Sequence, residues 1–294
     1  MKKYHSSELV LNEEGAVYHL KLHPEELAET VIVVGDPGRV PQISGYFDRI
    51  EIKRHNREII SHTGWLNGVR LTAMSTGMGT DNIDIIMNEL DALVNFDLEK
   101  RVPKEKAGKL RIVRLGTSGA LQPDIPVNTF VLSRYAIGLD GLLYFYDIPR
   151  GVILEELGGK FRDHVAWSKF LPHAYGVSAS ETLFAKFQSE HFYPGITITA
   201  PGFYGPQGRV MRLGLRYPEL NHLMQHFTFD NLKICNYEME TSALYGLGEA
   251  LGHEMLTVCV AIANRATGDF ASDYHKSVRK LIELVLEKLT SDDL

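Results

Sequence analysis

The sequence predicts an α/β fold around a mostly parallel or mixed sheet, because short apolar runs suited to buried strands alternate with helical patterns. Two of those runs break into glycine-containing turns, as strands feeding helices often do. With 294 residues and 44% apolar content the chain can bury a substantial core, and no Pro/Gly/Ser-rich linker divides it. The expectation is a single domain over residues 1–294.

In chain order, "VIVVG" (31–35) and "VRLTAMS" (69–75) read as the first two strands. Between the second and third lies "DNIDIIMNELDALV" (81–94), where Ile83, Ile86, Leu90, Leu93 and Val94 share one helical face behind a cap at Asp81 or Asn82. The charged stretch 97–109 reads as a solvated connector. Further strands are predicted at "LRIVRLG" (110–116), "TFVLS" (129–133), "ITITA" (196–200) and "MLTVCVAIA" (255–263). A closing helix over 273–289 carries Val278, Leu281, Ile282, Val285 and Leu289 as one apolar stripe.

The net charge of −6 argues against a general nucleic-acid or anionic-membrane surface, so an anionic ligand must be held by a few local arginines. Cys235 and Cys259 are too few for a disulfide scaffold and lack zinc spacing, which fits a reduced cytoplasm and no metal site. The start "MKKYHSSELVLNEEG" has no apolar stretch after its lysines, so it does not read as a secretory signal. No run of about 18 apolar residues occurs, and a soluble cytoplasmic protein is expected.

Three stretches carry chemistry. In "VIVVGDPGRV" a strand breaks at Gly35-Asp36-Pro37-Gly38, where backbone N–H groups and Arg39 can meet an oxyanion; turn geometry alone explains the same residues. In "VRLGTSGAL", Arg114 interrupts an apolar strand, and such a group is costly to bury without a specific anion or carboxylate. Neither "GMGTDN" nor "GTSGAL" fits the dinucleotide fingerprint, which removes a nicotinamide reading. In "NYEMETSALYGLGEALG" Glu238 and Glu240 stand at the mouth of a helix, where the dipole alone would favour an acid.

With "VYHLKL", "HNREI", "STGMG", "RLGTSGALQPDIPVNTFVLS", "GLDG", "FYGPQGR" and "AIANR", these stretches occur in an order that resembles the hexameric-type nucleoside phosphorylase family from about residue 17 to 265, with 150–195 matching poorly. The resemblance implies a three-layer α/β/α sandwich with a mixed, partly barrel-like central sheet. It implies phosphate-dependent cleavage of uridine to uracil and ribose 1-phosphate, with inversion and with no cofactor, phosphate being a co-substrate. Phosphate would be held by Gly35, Arg39, Arg114 and Thr117, and by Arg57 from a neighbouring subunit. Glu240 would accept from the ribose hydroxyls with Met239 against the sugar, and His19 of a neighbouring chain would reach the 5′-hydroxyl. Arg114, Glu240 and Arg209 would be the catalytic groups, in a homodimer or a hexamer of dimers with shared sites.

The base would lie by Ser118 and Gly119, walled by Phe203. Gln207 can accept from uracil N3–H and donate to O2, while Arg209 donates to O4. A purine would benefit from an acid near N7; the equivalent stretch here has Asn264-Arg265, and Asp269 lies further along. Two departures from the bacterial pattern are "MGTDN" after the second strand and "GTSGA" after Arg114. Glu58 and Ser75 are the candidates for a monovalent cation at a dimer interface, a site some relatives of this type carry. A purine phosphorylase or nucleosidase of the same fold is the alternative, and a non-catalytic nucleoside-binding protein a further one.

Overall fold

A computed structural model describes residues 3–291; Met1 and Lys2 of the N-terminal reading lie outside them. The chain runs β1 (Thr30–Val34), α1 (Arg39–Ser44), β2 (Arg49–Asn56), β3 (Ile59–Leu66), β4 (Val69–Ser75), α2 (Thr80–Asn95), β5 (Phe96–Asp97) and β6 (Val102–Pro103). There follow β7 (Arg111–Ala120), β8 (Phe130–Gly138), α3 (Glu155–His164), β9 (Tyr175–Ser178), α4 (Glu181–Phe187) and β10 (Tyr193–Thr199). The last third holds α5 (Leu220–Gln225), β11 (Thr228–Phe229), β12 (Leu232–Glu238), α6 (Thr241–Ala250), β13 (Glu254–Asn264) and α7 (Tyr274–Thr290).

Eleven strands form one mixed sheet. Five of them close on themselves: β7 pairs β12, and the ring returns through β10, β8 and β13 to β7. Outside this partial barrel the sheet continues from β7 through β1, β4 and β3 to β2. All six predicted strands are present. The β2–β3 hairpin is not among the predicted elements, because β2 is mostly exposed and its alternation, Ile50-Glu51-Ile52, is too short to betray it.

What positions the cleft is unequal strand length. β1 is aligned with β7 only from Thr30 opposite Arg111 to Val33 opposite Arg114. The rest of β7 runs on past the end of β1, pairing with β13 and turning onto β12 at Gly119 and Ala120. β4, β1, β7 and β13 run parallel to one another, so their carboxyl ends open on one crevice, where open α/β sheets bind ligands. A register shift between Ala261 and Ala263 lets β13 follow the curve.

The predicted helices pack as their stripes require, with Val278, Leu281, Ile282, Val285 and Leu289 of α7 buried, and Ile83, Ile86, Leu90 and Leu93 of α2 likewise. Val94 is only half-buried. The cap of α2 is corrected: neither Asp81 nor Asn82 occupies that position, which falls to Gly79 at φ 98°, a conformation that favours glycine. The connector reading of 97–109 is corrected in part. Lys104–Ala107 are exposed, but β5 and β6 pair, Leu98 is buried, and Arg101 takes Tyr4 N–H on its carbonyl while its guanidinium donates to Leu9 O. Among the described residues no helix is long and apolar enough to cross a membrane.

Candidate active site

A cleft of about 650 Å³ opens at the carboxyl ends of these strands. Of the predicted site residues it is lined by Gly35, Arg39, Arg114, Thr117, Ser118, Gly119, Phe203, Gln207, Arg209, Met239 and Glu240, which come from four separate stretches of sequence. His19 and Arg57 do not line it. Arg57 sits exposed at φ 54° in the β2–β3 turn, and His19 lies beside that turn, Asn56 Nδ2 donating to His19 O at 2.9 Å.

At the floor, the in-strand arginine finds its carboxylates. The Arg114 guanidinium is buried, donates to Glu240 Oε2, and lies 3.1 Å from Glu238 Oε2 and 3.3 Å from Cys259 Sγ. Its Nε is buried and has no hydrogen-bond partner among the described residues. The guanidinium fits only because residue 116 has no side chain: a Cβ there would meet Arg114 Nη1 at 2.4 Å and Cys259 Sγ at 2.6 Å. Burial alone would lower the Arg114 pKa, but Glu240 and then Glu238 outweigh it and the guanidinium stays charged. Burial pushes Glu240 above the ordinary carboxylate range; Arg114 opposes this and Glu238 adds to it. Both directions hold together because one buried cation faces two buried carboxylates, so proton affinity collects on Glu240.

The two acids at the mouth of α6 divide their work. Glu238 accepts from Glu240 N at 2.9 Å, from Thr241 N at 2.9 and 3.1 Å, and from Thr199 Oγ1 at 2.5 Å, so it holds the first turn of α6 together. Glu240 turns the other way and accepts from Gly79 N at 2.7 Å, linking the start of α6 to the start of α2. That leaves its carboxylate on the cleft wall beside Met239.

Arg39 reaches Thr117 Oγ1 at 3.3 Å and Leu115 O at 3.4 Å, and no carboxylate lies within ion-pair distance of it among the described residues. Burial lowers its pKa, Asp36 opposes this, and the charge of Arg114 lowers it further. Two guanidiniums repelling across an open corner make a place for an anion. In the first turn, Gly38 N–H is already taken by Asp36 Oδ1 at 2.8 Å, so Asp36 serves the turn.

On the opposite wall Gln207 is buried and its Oε1 accepts from Arg209 Nη1 at 2.6 Å, while Arg209 also donates to Phe203 O at 2.6 Å and stacks 3.7 Å over the Phe203 ring. Burial, and then the charge of Arg265, lower the Arg209 pKa to about 10. Arg265 was not among the predicted site residues. It donates to Gly208 O at 3.2 Å, and its side chain flanks Gly119 together with Arg209. Ser118 is committed to the wall, taking Asn236 Nδ2 at 2.9 Å. Tyr237, Ile262, Ala263 and Phe270 also line the cleft, and nothing in their residue types singled them out.

Among the described residues no acid stands on this wall; the acids that line the cleft, Asp36, Glu58, Glu238 and Glu240, belong to its other stretches. Asn264 Nδ2 donates to Gln122 O and Ile125 O, and Asp269 is tied to Thr267 Oγ1 at 2.6 Å outside the lining. Ser75 Oγ donates to Glu58 O at 2.6 Å and accepts from Ile60 N at 2.8 Å, which takes up its proton and one of its lone pairs. Among the described residues there is no group of three or more His, Cys, Asp or Glu placed to hold a metal ion.

A partial barrel whose cleft sets the Arg39 corner and the buried Arg114–Glu240 pair against an aromatic wall carrying Gln207 and Arg209 defines a class. Residues 29–290 match the family described as the Phosphorylase superfamily, and the chain belongs to it. Within that family it is 29% identical over 279 residues to a uridine phosphorylase of Thermococcus kodakarensis, covering 92% of this chain and 85% of that one. A uridine phosphorylase of Haemophilus influenzae is 29% identical over 264 residues, covering 88% and 90%. Among solved structures, a Trypanosoma brucei nucleoside phosphorylase described as showing uridine phosphorylase activity superposes with a TM-score of 0.85 at 31% identity, over 96% of this chain and 99% of that one.

Proposed function

We infer that the chain catalyses the reversible phosphorolysis of uridine to uracil and ribose 1-phosphate. The observation that carries this reading is the base wall: Gln207 and Arg209 hydrogen-bonded to each other under Phe203, a second guanidinium at Arg265, and, among the described residues, no carboxylate beside them. Uracil offers oxygens on either side of N3–H, and such donors suit both those oxygens and the negative charge that gathers on them as the base leaves. Purine nucleoside phosphorylases also match, at 24% identity over 276 residues for Oceanobacillus iheyensis, and keep purine cleavage as the second reading. A panel of uridine, inosine and adenosine separates the two. Uridine should have the highest kcat/KM, and inosine or adenosine turned over equally well would overturn the assignment.

In the mechanism this reading supports, phosphate lies at the corner between Arg39, Arg114 and Thr117 beside Gly35, with Arg57 added by a neighbouring protomer. Glu240 accepts from the ribose hydroxyls, and its negative charge favours the positive charge that grows on the anomeric carbon as the C1′–N1 bond loosens. The bonding pair passes to uracil, spread toward the oxygens that Gln207 and Arg209 face. A phosphate oxygen closes on C1′ from the opposite side, which inverts that centre. The proton uracil gains at N1 balances the one phosphate loses on becoming an ester. The reading takes His19 and Arg57, which do not line this chain's own cleft, as residues lent by a neighbouring protomer, and its working unit is then a homodimer, or a hexamer of dimers, with shared sites.

Gly116→Ala tests the seat of Arg114. The added methyl must displace the guanidinium, and a shift of that order lowers kcat/KM by about a hundredfold, chiefly through the KM for phosphate. Steady-state kinetics at varied phosphate check it; an unchanged KM for phosphate would contradict the proposed role of Arg114.

A further inference from the structure

Outside the cleft, the carboxylate of Glu89 on α2 gathers four contacts from one short loop. It accepts from His19 N at 2.9 and 3.0 Å, from Leu20 N at 2.8 Å, and stands 2.6 Å from His19 Nδ1. His19 is thereby fixed at both its backbone and its ring, and Asn56 Nδ2 on His19 O ties the same loop to the turn that carries Arg57. The ring is partly exposed, with Tyr18 packed edge-on at 4.9 Å, and its Nε2 has no partner among the described residues.

We propose that Glu89 is a positioning residue that sets the tautomer of His19, so that each protomer presents a hydrogen-bond acceptor to the sugar in its neighbour's cleft. This rests on the reading of His19 given above. An ionised carboxylate can only accept, so at this distance the proton must sit on Nδ1, and in the neutral imidazole that makes Nε2 the acceptor. A nucleoside 5′-hydroxyl meeting Nε2 then donates, which leaves its oxygen free to accept from other groups. Without Glu89 the ring can carry its proton on Nε2 instead and offer a second donor to the hydroxyl.

The test compares uridine with 5′-deoxyuridine in the parent, Glu89→Gln and His19→Ala proteins. Glutamine keeps the shape and one acceptor for the loop N–H groups, but its amide can donate and no longer forces the proton onto Nδ1. The parent should prefer uridine by about tenfold in kcat/KM, the worth of one good hydrogen bond. Glu89→Gln should lose most of that preference while kcat/KM for 5′-deoxyuridine changes by less than about twofold. Combined with His19→Ala, Glu89→Gln should leave the preference equal to that of His19→Ala alone. Nitrogen-15 spectra of the imidazole should show Nδ1–H in the parent at a pH where the ring is neutral.

A Glu89→Gln protein that loses rate equally on both substrates would reduce Glu89 to a structural brace and overturn the proposal, as would one that keeps the parent preference. A parent protein indifferent to the 5′-hydroxyl would overturn the reading of His19, and the proposal with it. Should Glu89→Gln fail to fold, the parent spectrum decides alone, and a dominant Nε2–H form would overturn the assignment.

Discussion

Arg114→Ala is expected to lower kcat/KM for phosphorolysis by about a thousandfold or more, the scale on which a buried group aimed at developing charge contributes. The loss should come with a raised KM for phosphate, because the guanidinium borders the corner where Arg39 and Thr117 meet. It should also cost stability. Glu238 and Glu240 are both buried and both lean on this one cation, so its removal strands two carboxylates, and breaking a buried pair in this way costs about 3–5 kcal/mol. Denaturant unfolding and steady-state kinetics on the same preparation separate the two effects. A variant equally stable and with unchanged KM for phosphate would show that Arg114 neither binds the anion nor neutralises the acids.

Glu240→Gln should reduce kcat by about a hundredfold to a thousandfold, with a smaller loss of stability than Arg114→Ala because Glu238 still pairs the buried arginine. The amide oxygen can still accept from Gly79 N–H, so the junction of α2 and α6 keeps its link, while the negative charge beside the sugar is gone. The pH profile gives this prediction a second reading. The ionised carboxylate is the working form, so activity is present above its pKa and falls as pH drops through it. Burial places that pKa above the usual carboxylate range, and the acid limb of kcat/KM in the parent should be displaced toward neutral pH accordingly. Glu240→Gln should lose that limb altogether. If the limb persists unchanged, another group titrates there and Glu240 is not the electrostatic partner of the sugar.

Both variants concern residues that could be found in the sequence, and the reason is physical. An arginine inside "LRIVRLG" contradicts the strand around it, and a conflict of that kind has to be resolved by a partner. What could not be read was which partner. The structure supplies a carboxylate pair, so the ion-pair reading and the anion reading turn out to be compatible: Arg114 is held by Glu238 and Glu240 and still borders the cleft. Glu238 and Glu240 looked alike at a helix mouth, and both border the cleft; only the backbone path reveals that Glu238 ties the first turn of α6 while Glu240 reaches across to Gly79 N–H.

Other features left no local signal. β2 is missed because an edge strand exposed on nearly every residue needs no apolar period. The cap of α2 went to Gly79 because the chain must turn sharply out of β4 to bring an N–H onto Glu240, a demand set by a residue 161 positions away. Arg265 beside Gly119, and Glu89 beneath His19, are contacts across distant stretches of chain, made by residue types that are ordinary where they stand. The barrel closure was an expectation drawn from resemblance; its local basis is the run of β7 past the end of β1.

The measurement that bears most directly on the central claim is ultraviolet assay of uracil release from uridine with phosphate varied from none to saturation. Release should be negligible without phosphate, should saturate as phosphate rises, and should yield one ribose 1-phosphate for each uracil. Uracil released at the same rate in phosphate-free buffer, with free ribose as the second product, would make water the acceptor and contradict the assignment of the arginine corner.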